Sequence, residues 1–205
     1  MNFTLCTNNK AFPYMIIDDF YSPTEEDLVW KDLEKLKRDL LPDNQPIGYG
    51  IATEFGKPMG KMKRVYLDDK YLDRREDSNI LQVYKKITSQ EVRDNYKKTT
   101  AAYRQWEITN NDESIVSYYD DGDCYNSHFD KFMHTVLIWF YKKPKRFTGG
   151  NLTFPESNQK VECLHNRLLI FPSYYLHEID KVELEEEYRN KELGRYCITH
   201  FYTKK

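Results

Sequence analysis

Two histidines and one aspartate in the C-terminal half of the chain could bind a metal ion together. His128 and Asp130 are separated by one residue, and His177 follows later in the chain. Successive side chains of an extended chain alternate between its two faces, so His128 and Asp130 are expected to point the same way and to share one ion. His177 could add a second imidazole. Two histidines and one carboxylate leave coordination positions open for small molecules, as oxygen chemistry at iron requires.

The surrounding sequence favours this interpretation over the simpler alternatives. Taken alone, His128 and Asp130 could be a hydrogen-bonded surface pair, and His177, which follows an apolar strand, could be a buried structural histidine. However, a strand and glycine turn at residues 117–125 precede the pair, and a buried-strand run at residues 135–140 follows it. A zinc hydrolase is another class of protein that could use three such ligands.

The order of these motifs resembles the prolyl 4-hydroxylase-like family of Fe(II)- and 2-oxoglutarate-dependent dioxygenases. The resemblance extends over roughly residues 115–203, through the Gly149-Gly150 turn and the final strand, and residues 15–22 look like the family's entry strand. Residues from about 40 to 105 match nothing in the family. The resemblance implies that His128, Asp130 and His177 bind Fe(II) and that Arg195 anchors the cosubstrate, 2-oxoglutarate.

The chemistry of Arg195 agrees with that role. When the keto-acid end of 2-oxoglutarate chelates iron, its other carboxylate remains free, and a planar guanidinium is the side chain best suited to bind it. Counting by two along the strand places Cys197, Thr199 and Phe201 on the face of Arg195 and His200 on the opposite face, which makes His200 a poor metal ligand. An ordinary edge-strand arginine is the alternative.

The same resemblance assigns three further residues to the cosubstrate side of the site. Tyr118, ten residues before His128, matches a tyrosine that lines the cosubstrate pocket. Thr199 matches a residue that points toward the metal. Trp139 stands where relatives often place a tyrosine against the far carboxylate of 2-oxoglutarate. For Tyr118, a role for the neighbouring Tyr119 or ordinary packing are the alternatives.

The activity that the resemblance implies is hydroxylation of a substrate C–H bond, coupled to conversion of 2-oxoglutarate and O₂ into succinate and CO₂, with ascorbate as a supporting reductant. The carboxylate of Asp130 would fill the position that a halide needs, which favours hydroxylation over halogenation. A prolyl residue in a peptide or protein is the expected substrate. The alternatives are a free amino acid, another small molecule or a nucleobase, and a non-catalytic metal- or peptide-binding jelly-roll domain.

Composition favours one soluble domain over residues 1–205. The 31 basic and 33 acidic residues give a net charge of −2, which offers no general attraction for nucleic acid or for an anionic membrane. No apolar stretch reaches the ~20 residues of a membrane span, and the N-terminus does not resemble a signal peptide, so we expect a cytoplasmic protein. The four cysteines are widely scattered, which predicts free thiols, and nothing indicates the oligomeric state.

The predicted fold is mainly β with packed helices. Many short strands after residue 110 and the resemblance indicate a double-stranded β-helix, or jelly-roll, core at about 111–205, with N-terminal α-helices on one sheet. Within the helical support at about 1–110, we expect a strand at about 13–19, a helix from Ser22 to about Leu41 and another at about 76–97. Residues 43–73 are predicted to form a flap over the substrate entrance or a solvated hairpin. The acidic run at 180–192 is predicted to form a solvated hairpin or loop.

Overall fold

The computed structural model describes residues 1–42 and 53–205. The N-terminal half mixes short strands and helices. Its elements are β1 (Asn2–Cys6), β2 (Tyr14–Asp18), α1 (Pro23–Leu36), β3 (Leu41–Pro42), β4 (Thr53–Glu54), β5 (Lys57–Pro58), β6 (Gly60–Lys61), β7 (Lys63–Tyr66), α2 (Leu67–Tyr71), α3 (Ile80–Val83), α4 (Gln90–Thr99) and α5 (Tyr103–Glu107), with 3₁₀ turns at Arg75–Asp77 and Tyr84–Thr88.

The C-terminal half consists of strands. They are β8 (Asn111–Tyr119), β9 (Cys124–His128), β10 (His134–Phe140), β11 (Phe147–Thr148), β12 (Leu152–Phe154), β13 (Gln159–Val161), β14 (Arg167–Pro172), β15 (His177–Ile179), β16 (Glu183–Leu184) and β17 (Arg195–Thr203), with 3₁₀ turns at Pro155–Ser157 and Glu186–Tyr188.

Two antiparallel sheets form the core, as the jelly-roll prediction requires. The larger sheet has the order β1-β2-β14-β10-β17-β8-β7-β3, and the smaller has the order β13-β12-β15-β9-β6. The strands β14, β10 and β17 lie at the centre of the larger sheet, where nearly every side chain is buried. The predicted jelly-roll fold is confirmed, and the space between the two sheets contains the candidate site.

The helices cover the outer face of the larger sheet, as predicted. Apolar side chains of α1, α3 and α4 join those of β2, β10 and β17 in one core cluster. A second cluster fills the space between the two sheets, with Trp139, Phe154 and Phe171 completely buried. A fold with two separate cores can hold the central strands rigidly from both faces, because burial of apolar surface is the main force that stabilises a domain.

Helix α1 begins where the sequence predicts and ends earlier. The Ser22 hydroxyl accepts a hydrogen bond from the Glu25 amide, and the Glu25 carboxylate accepts one from the Ser22 amide, which forms a capping box. The helix ends at Leu36 instead of about Leu41. The chain turns there because Leu41 must pair with Arg64 of β7 at the edge of the larger sheet.

The predicted helix at about 76–97 is wrong as one continuous element. The structure divides this region into α3, a 3₁₀ turn and α4. Ser89 interrupts the helical path because its side chain accepts a hydrogen bond from the Val92 amide and caps α4. Upstream, the buried carboxylate of Asp32 accepts hydrogen bonds from Ser78 and from the Ile80 amide, which fixes the start of α3. Polar contacts therefore override the apolar periodicity.

Within the described part of the predicted flap, β6 and β7 belong to the two main sheets, and Leu67–Tyr71 form α2. Strand β6 pairs with β9, and β7 pairs with β8, so this segment links the two sheets along one side of the site. The hairpin of β4 and β5 projects from it, with Phe55 almost fully exposed. Residues 43–52 of the predicted flap lie outside the described residues, and with them the proposed covering residue Tyr49.

The acidic run at 180–192 is a surface segment that contains one short strand, β16. Strand β16 pairs with β11, and the Glu192 carboxylate forms ion pairs with Lys37 and Lys142. All four cysteines are free thiols, as expected. Among the described residues, no helix is both long enough and apolar enough to span a lipid bilayer.

Candidate metal and cosubstrate site

The two candidate histidine ligands face each other across neighbouring strands. His128 ends β9, His177 begins β15, and the two residues are a cross-strand pair in the antiparallel ladder. Their ring centroids are 4.3 Å apart, and both side chains are buried. Strand pairing therefore brings together two imidazoles that are far apart in the sequence.

Hydrogen bonds fix the tautomer of both rings. The Nδ1 atom of His128 lies 2.7 Å from the carbonyl oxygen of Asn126, and that of His177 lies 2.8 Å from the carbonyl oxygen of Tyr175. Because a carbonyl oxygen can only accept, each Nδ1 must carry the proton. In the neutral form of such a ring Nε2 keeps its lone pair, which is the tautomer that a metal-binding histidine needs.

Asp130 completes the cluster from the loop that follows β9. Its Oδ1 lies 3.7 Å from Nε2 of His128, and its Oδ2 lies 3.4 Å from Nε2 of His177. The ligand atoms of the three residues all lie within 4.8 Å of one another. The amide of Asp130 donates to the carbonyl of Ser173, and Thr135 donates to Oδ2 at 2.6 Å. These bonds, and not strand alternation as predicted, orient the carboxylate.

The packing around the cluster keeps His128 neutral. Burial and the neighbouring His177 lower the pKa of His128 to about 4, and the opposing effect of the Asp130 carboxylate does not offset them. The ring of Tyr125 stacks on that of His128 with centroids 3.6 Å apart, and the edge of Phe171 packs against His177. At neutral pH His128 is therefore an unprotonated base that is ready to bind a cation.

Arg195 is a completely buried cation that forms no ion pair with any described carboxylate. Its side chain has no exposed surface, and its three guanidinium nitrogens have no hydrogen-bond partner among the described residues. The guanidinium carbon lies 4.7 Å from the ring centroid of Tyr119 and 5.6 Å from that of Trp139. Because burial of an uncompensated charge costs several kcal/mol, this arrangement indicates that the site binds an anion.

A single cavity contains the metal cluster and Arg195. It occupies about 440 Å³, including its solvent-filled mouth. Its lining residues come from both sheets and are Arg64, Ser117, Tyr119, Tyr125, His128, Asp130, Leu137, His177, Ile179, Arg195, Cys197, Thr199 and Phe201. An anion that reaches both the cluster and the guanidinium would lie across the face of β17.

The structure brings most of the predicted site residues together. Arg195, Cys197, Thr199 and Phe201 all line the cavity, so the predicted alternation along β17 is confirmed. Trp139 packs beside the guanidinium from β10. His200 points to the opposite face, where its Nδ1 lies 2.8 Å from the Ser114 hydroxyl.

Tyr118 lies outside the site, contrary to the prediction. It packs against Tyr196 on the helix-facing side of the larger sheet, and its hydroxyl accepts a hydrogen bond from the Gly194 amide. The neighbouring Tyr119 faces the cavity instead, because β8 pairs with β17 in the register that sets Tyr119 opposite Arg195. The spacing to His128 could not distinguish two adjacent tyrosines that point to opposite faces.

Sequence reasoning did not identify three other residues at the site. Arg64 reaches the cavity from β7, where its guanidinium lies over the ring of Tyr125. Thr135 and Ser173 support Asp130 from behind, with their hydroxyl oxygens 2.9 Å apart. A hydroxyl residue gives no signal of such a role in a single sequence, and Arg64 lies in a region without recognisable motifs.

The residues present fit one divalent metal ion and one dicarboxylate. Two imidazoles and one carboxylate on one side of an ion form the facial set that non-haem Fe(II) oxygenases use, with the remaining positions open. The buried guanidinium of Arg195 supplies the bidentate donor that a second carboxylate requires. A hydrolytic zinc site would need no such cation, so Arg195 argues against that alternative.

Comparison with protein families supports the same chemistry. Residues 114–203 match the model of the 2OG-Fe(II) oxygenase superfamily, in which 2OG denotes 2-oxoglutarate. The match begins in β8 and ends with the last residue of β17, so it includes all four of His128, Asp130, His177 and Arg195. A comparison with curated proteins found no match.

Solved structures share the fold at low sequence identity. A prolyl hydroxylase from Trichoplax adhaerens, in complex with a hypoxia inducible factor peptide fragment, has a TM-score of 0.64 and 16% identity, covering 93% of this chain and 83% of that one. A prolyl-4-hydroxylase from Pseudomonas putida has a TM-score of 0.54 and 15% identity, covering 94% and 92%.

A third structure with this fold comes from another bacterium. An oxidoreductase of the 2OG-Fe(II) oxygenase family from Burkholderia pseudomallei has a TM-score of 0.52 and 12% identity, covering 93% of this chain and 85% of that one. At such identities the likeness establishes the fold, while the family match carries the chemistry. Residues 114–203 of this chain therefore match a 2OG-Fe(II) oxygenase, a class of enzyme that uses Fe(II), 2-oxoglutarate and O₂.

Proposed function

We propose that this enzyme hydroxylates a prolyl residue in a peptide or protein. In this proposal His128, Asp130 and His177 hold the iron, and Arg195 binds the far carboxylate of 2-oxoglutarate. The observation that carries the assignment is the presence, in one cavity, of a three-residue candidate metal cluster and a buried guanidinium that has no carboxylate partner in the part of the chain that the structure describes. The bound iron supplies the oxidation of 2-oxoglutarate by O₂ and the hydroxylation of the substrate.

The metal-binding atoms of the ligand residues already face one another. Both histidines have their Nε2 lone pairs turned toward Asp130, and burial keeps the pKa of His128 low. The carboxylate of Asp130 supplies one negative charge, which partly offsets the charge of a divalent ion. A preorganised set of this kind minimises the reorganisation that metal binding requires.

Arg195 orients the cosubstrate in the proposed site. The aromatic faces of Tyr119 and Trp139 pack beside its guanidinium and hold it in place. A carboxylate that pairs with Arg195 would be shielded from water by these rings and by Leu137 and Ile179. Charge-assisted hydrogen bonds in such a buried setting are stronger than in water, and they fix the direction in which the keto acid points toward the metal.

The choice of a prolyl substrate is supported by the solved structures with this fold. Two of these proteins are prolyl hydroxylases, and one of them is in complex with a peptide fragment. The resemblance of residues 115–203 to the prolyl 4-hydroxylase-like family supports the same choice. A free amino acid or another small molecule would use the same metal and cosubstrate residues.

The test is incubation of the protein with Fe(II), 2-oxoglutarate, ascorbate, O₂ and a set of proline-containing peptides. Mass spectrometry should detect addition of one oxygen atom to a proline, with succinate formed in equal amount. Asp130→Ala should abolish both products, because loss of the carboxylate removes one of three metal ligands. Oxidation of free amino acids, with every peptide unmodified, would contradict the proposed substrate and leave the dioxygenase chemistry intact.

A further inference from the structure

A second guanidinium group lines the cavity of the candidate site. Arg64 is the cross-strand partner of Ser117, and Ser117 is the partner of Cys197, which shares the cavity face of β17 with Arg195. Cross-strand partners point to the same side of a sheet. Two cations, on strands that are separated only by β8, therefore face one cavity.

Arg64 and the metal cluster contact the same aromatic ring. The guanidinium carbon of Arg64 lies 5.1 Å from the ring centroid of Tyr125, and this ring stacks on that of His128 with centroids 3.6 Å apart. The backbone of Gly60 packs closely against the ring, because a Cβ atom there would lie 2.7 Å from Cδ2 of Tyr125. The contact with Tyr125 therefore places the charge of Arg64 beside the cluster.

The two cations act on the same groups of the cavity wall. Burial raises the pKa of Tyr119 to about 12, and the charges of Arg195 and Arg64 both oppose that rise. Burial also raises the pKa of the Cys197 thiol, and the same two charges oppose it. A negative charge held in the cavity would therefore be attracted by both arginines.

The cosubstrate has no carboxylate left for Arg64. In the proposed function, one carboxylate of 2-oxoglutarate chelates the metal together with the keto group, and the other binds Arg195. Among the described residues that line the cavity, Asp130 is the one carboxylate, and it is a proposed metal ligand. A guanidinium has several N–H donors, so Arg64 can bind a further carboxylate in addition to its other contacts.

We propose that Arg64 binds a carboxylate of the substrate. This inference rests on the proposed function and narrows its substrate class to prolyl substrates that carry a carboxylate a few bonds from the oxidised carbon. The carboxylate is either the side chain of an acidic residue next to the proline or the C-terminal carboxylate of the proline itself. Both present the same group, which a guanidinium binds through charge-assisted hydrogen bonds.

The test measures peptide binding without turnover. Protein loaded with Zn(II) and 2-oxoglutarate is titrated, in fluorescence anisotropy, with two pairs of fluorescein-labelled peptides that each contain one proline. In the first pair the C-terminus is an amide and the proline follows either aspartate or asparagine. In the second pair the proline is C-terminal and is either a free acid or an amide.

In one pair or both, the carboxylate peptide should bind about tenfold more tightly than its neutral partner. The pair that shows this difference identifies the source of the carboxylate. Added salt should reduce the difference, because it screens the attraction between the charges. Equal affinities within both pairs would overturn the inference.

Substitutions identify Arg64 as the group responsible. Arg64→Met removes the charge from an unbranched side chain, so the preference for the carboxylate peptide should disappear. Arg64→Lys keeps the charge without the planar fork and should retain part of the preference. Lys63→Met is the matched control, because Lys63 is the preceding residue of β7 and is exposed. A preference that persists in Arg64→Met, or that disappears equally in Lys63→Met, would overturn the inference.

Metal and cosubstrate affinities test whether Arg64 acts directly on the substrate. Because Arg64 contacts Tyr125, and Tyr125 stacks on His128, substitution of Arg64 also has a path to the metal. The affinities of Arg64→Met for Co(II) and for 2-oxoglutarate should stay close to those of the wild type. A loss of either affinity as large as the loss of peptide preference would overturn the inference, since Arg64 would then support the cluster or the cosubstrate.

Failure of this inference can be distinguished from failure of the proposed function. If Arg64 binds no substrate carboxylate, the wild-type enzyme with Fe(II) and O₂ hydroxylates the two peptides of each pair equally well. If the proposed function is wrong, no proline is hydroxylated in any of the four peptides, and the inference is overturned with it.

Discussion

Individual hydrogen bonds decide which atoms of the candidate site are available to a metal. Backbone carbonyls fix the two histidine rings, and Thr135 fixes the Asp130 carboxylate. In both histidines the backbone carbonyl binds Nδ1, the ring nitrogen that does not face Asp130. In Asp130, Thr135 donates to Oδ2, the oxygen that lies 3.4 Å from Nε2 of His177. The ligand set therefore depends on residues that do not bind the metal themselves.

Thr135 should control the affinity of the cluster for its metal. Thr135→Val keeps the shape of the side chain but removes the 2.6 Å hydrogen bond to Asp130, so the carboxylate can rotate away from the histidines. We expect the affinity for Fe(II), or for Co(II) as a probe, to fall about tenfold in a metal titration. Thr135→Ser, which keeps the hydroxyl, should retain most of the affinity. Equal metal affinity in the valine variant would mean that Ser173 or packing alone orients Asp130.

At the residue scale the sequence predicts the metal ligands better than the residues that orient them and line the cavity. The order of His128, Asp130, His177 and Arg195 could be identified because each lies in a recognisable strand motif. Tyr118 was chosen wrongly over Tyr119, because the face of a strand residue depends on register with a partner strand and not on distance along the chain.

The turn between β11 and β12 lies against the side chain of Arg195. Gly149 and Gly150 both have positive φ, at 69° and 68°. A Cβ atom on Gly150 would lie 2.9 Å from Cδ of Arg195 and 3.1 Å from Cγ2 of Val182. The glycine turn is therefore required for space as well as for backbone conformation.

Gly150→Ala should weaken cosubstrate binding. The new methyl group would displace the Arg195 side chain, and the positive φ would add strain of about 1 kcal/mol. Gly122→Ala is a matched control, because Gly122 has φ 78° but no atom within 4 Å of the added Cβ. Backbone strain should lower the free energy of unfolding by a similar amount in both variants, as measured by urea unfolding. The affinity for 2-oxoglutarate should fall severalfold in Gly150→Ala alone. The same affinity loss in both variants would attribute the effect to strain.

Elements were predictable where local signals agree with the tertiary structure. The start of α1 follows from Ser22, Pro23 and Glu25, whose capping contacts are local. The end of α1 and the start of α3 were not predictable, because they depend on strand β3 and on the buried Asp32. Long-range partners of this kind leave no periodic signal in the sequence.

For the whole molecule, the buried histidine His134 links stability to pH. It begins β10, packs between Tyr96 and Trp106, and has no hydrogen-bond partner for either ring nitrogen among the described residues. Burial lowers the pKa of His134 from 6.5 to about 4. Between these values the unfolded chain binds a proton that the folded protein does not, so folding stability falls as the pH drops below 6.5.

His134→Phe should make the protein less sensitive to acid. The shift in pKa predicts that His134 lowers the free energy of unfolding by roughly 2 kcal/mol between pH 7 and pH 5. Phenylalanine has a similar shape and no charge, so this part of the loss should disappear in urea titrations at the two pH values. The remaining pH dependence comes from other groups, including His200, whose pKa burial lowers to about 3. An identical loss in variant and wild type would show that His134 is not responsible.

The overall architecture was the most predictable level. Strand-rich composition after residue 110 and the order of the motifs were sufficient for the jelly-roll core and for helices on one sheet. The path of residues 53–66, which joins both sheets and brings Arg64 to the cavity, was not predictable because its strands are only two to four residues long. Strands β6 and β7 form through pairing with β9 and β8, and such short segments have little strand preference of their own.

The most direct test of the proposed site is anaerobic titration of the Fe(II)-loaded protein with 2-oxoglutarate, followed by the visible absorption of a keto acid chelated to Fe(II). The wild-type protein should develop this band with saturable binding. Arg195→Ala should develop it only at about 10–100-fold higher 2-oxoglutarate, with Arg195→Lys in between, because the charge-assisted pair is lost or weakened. Asp130→Ala should not develop it at the same iron concentration. Absence of the band in the wild type, or unchanged 2-oxoglutarate affinity in Arg195→Ala, would contradict the proposed site.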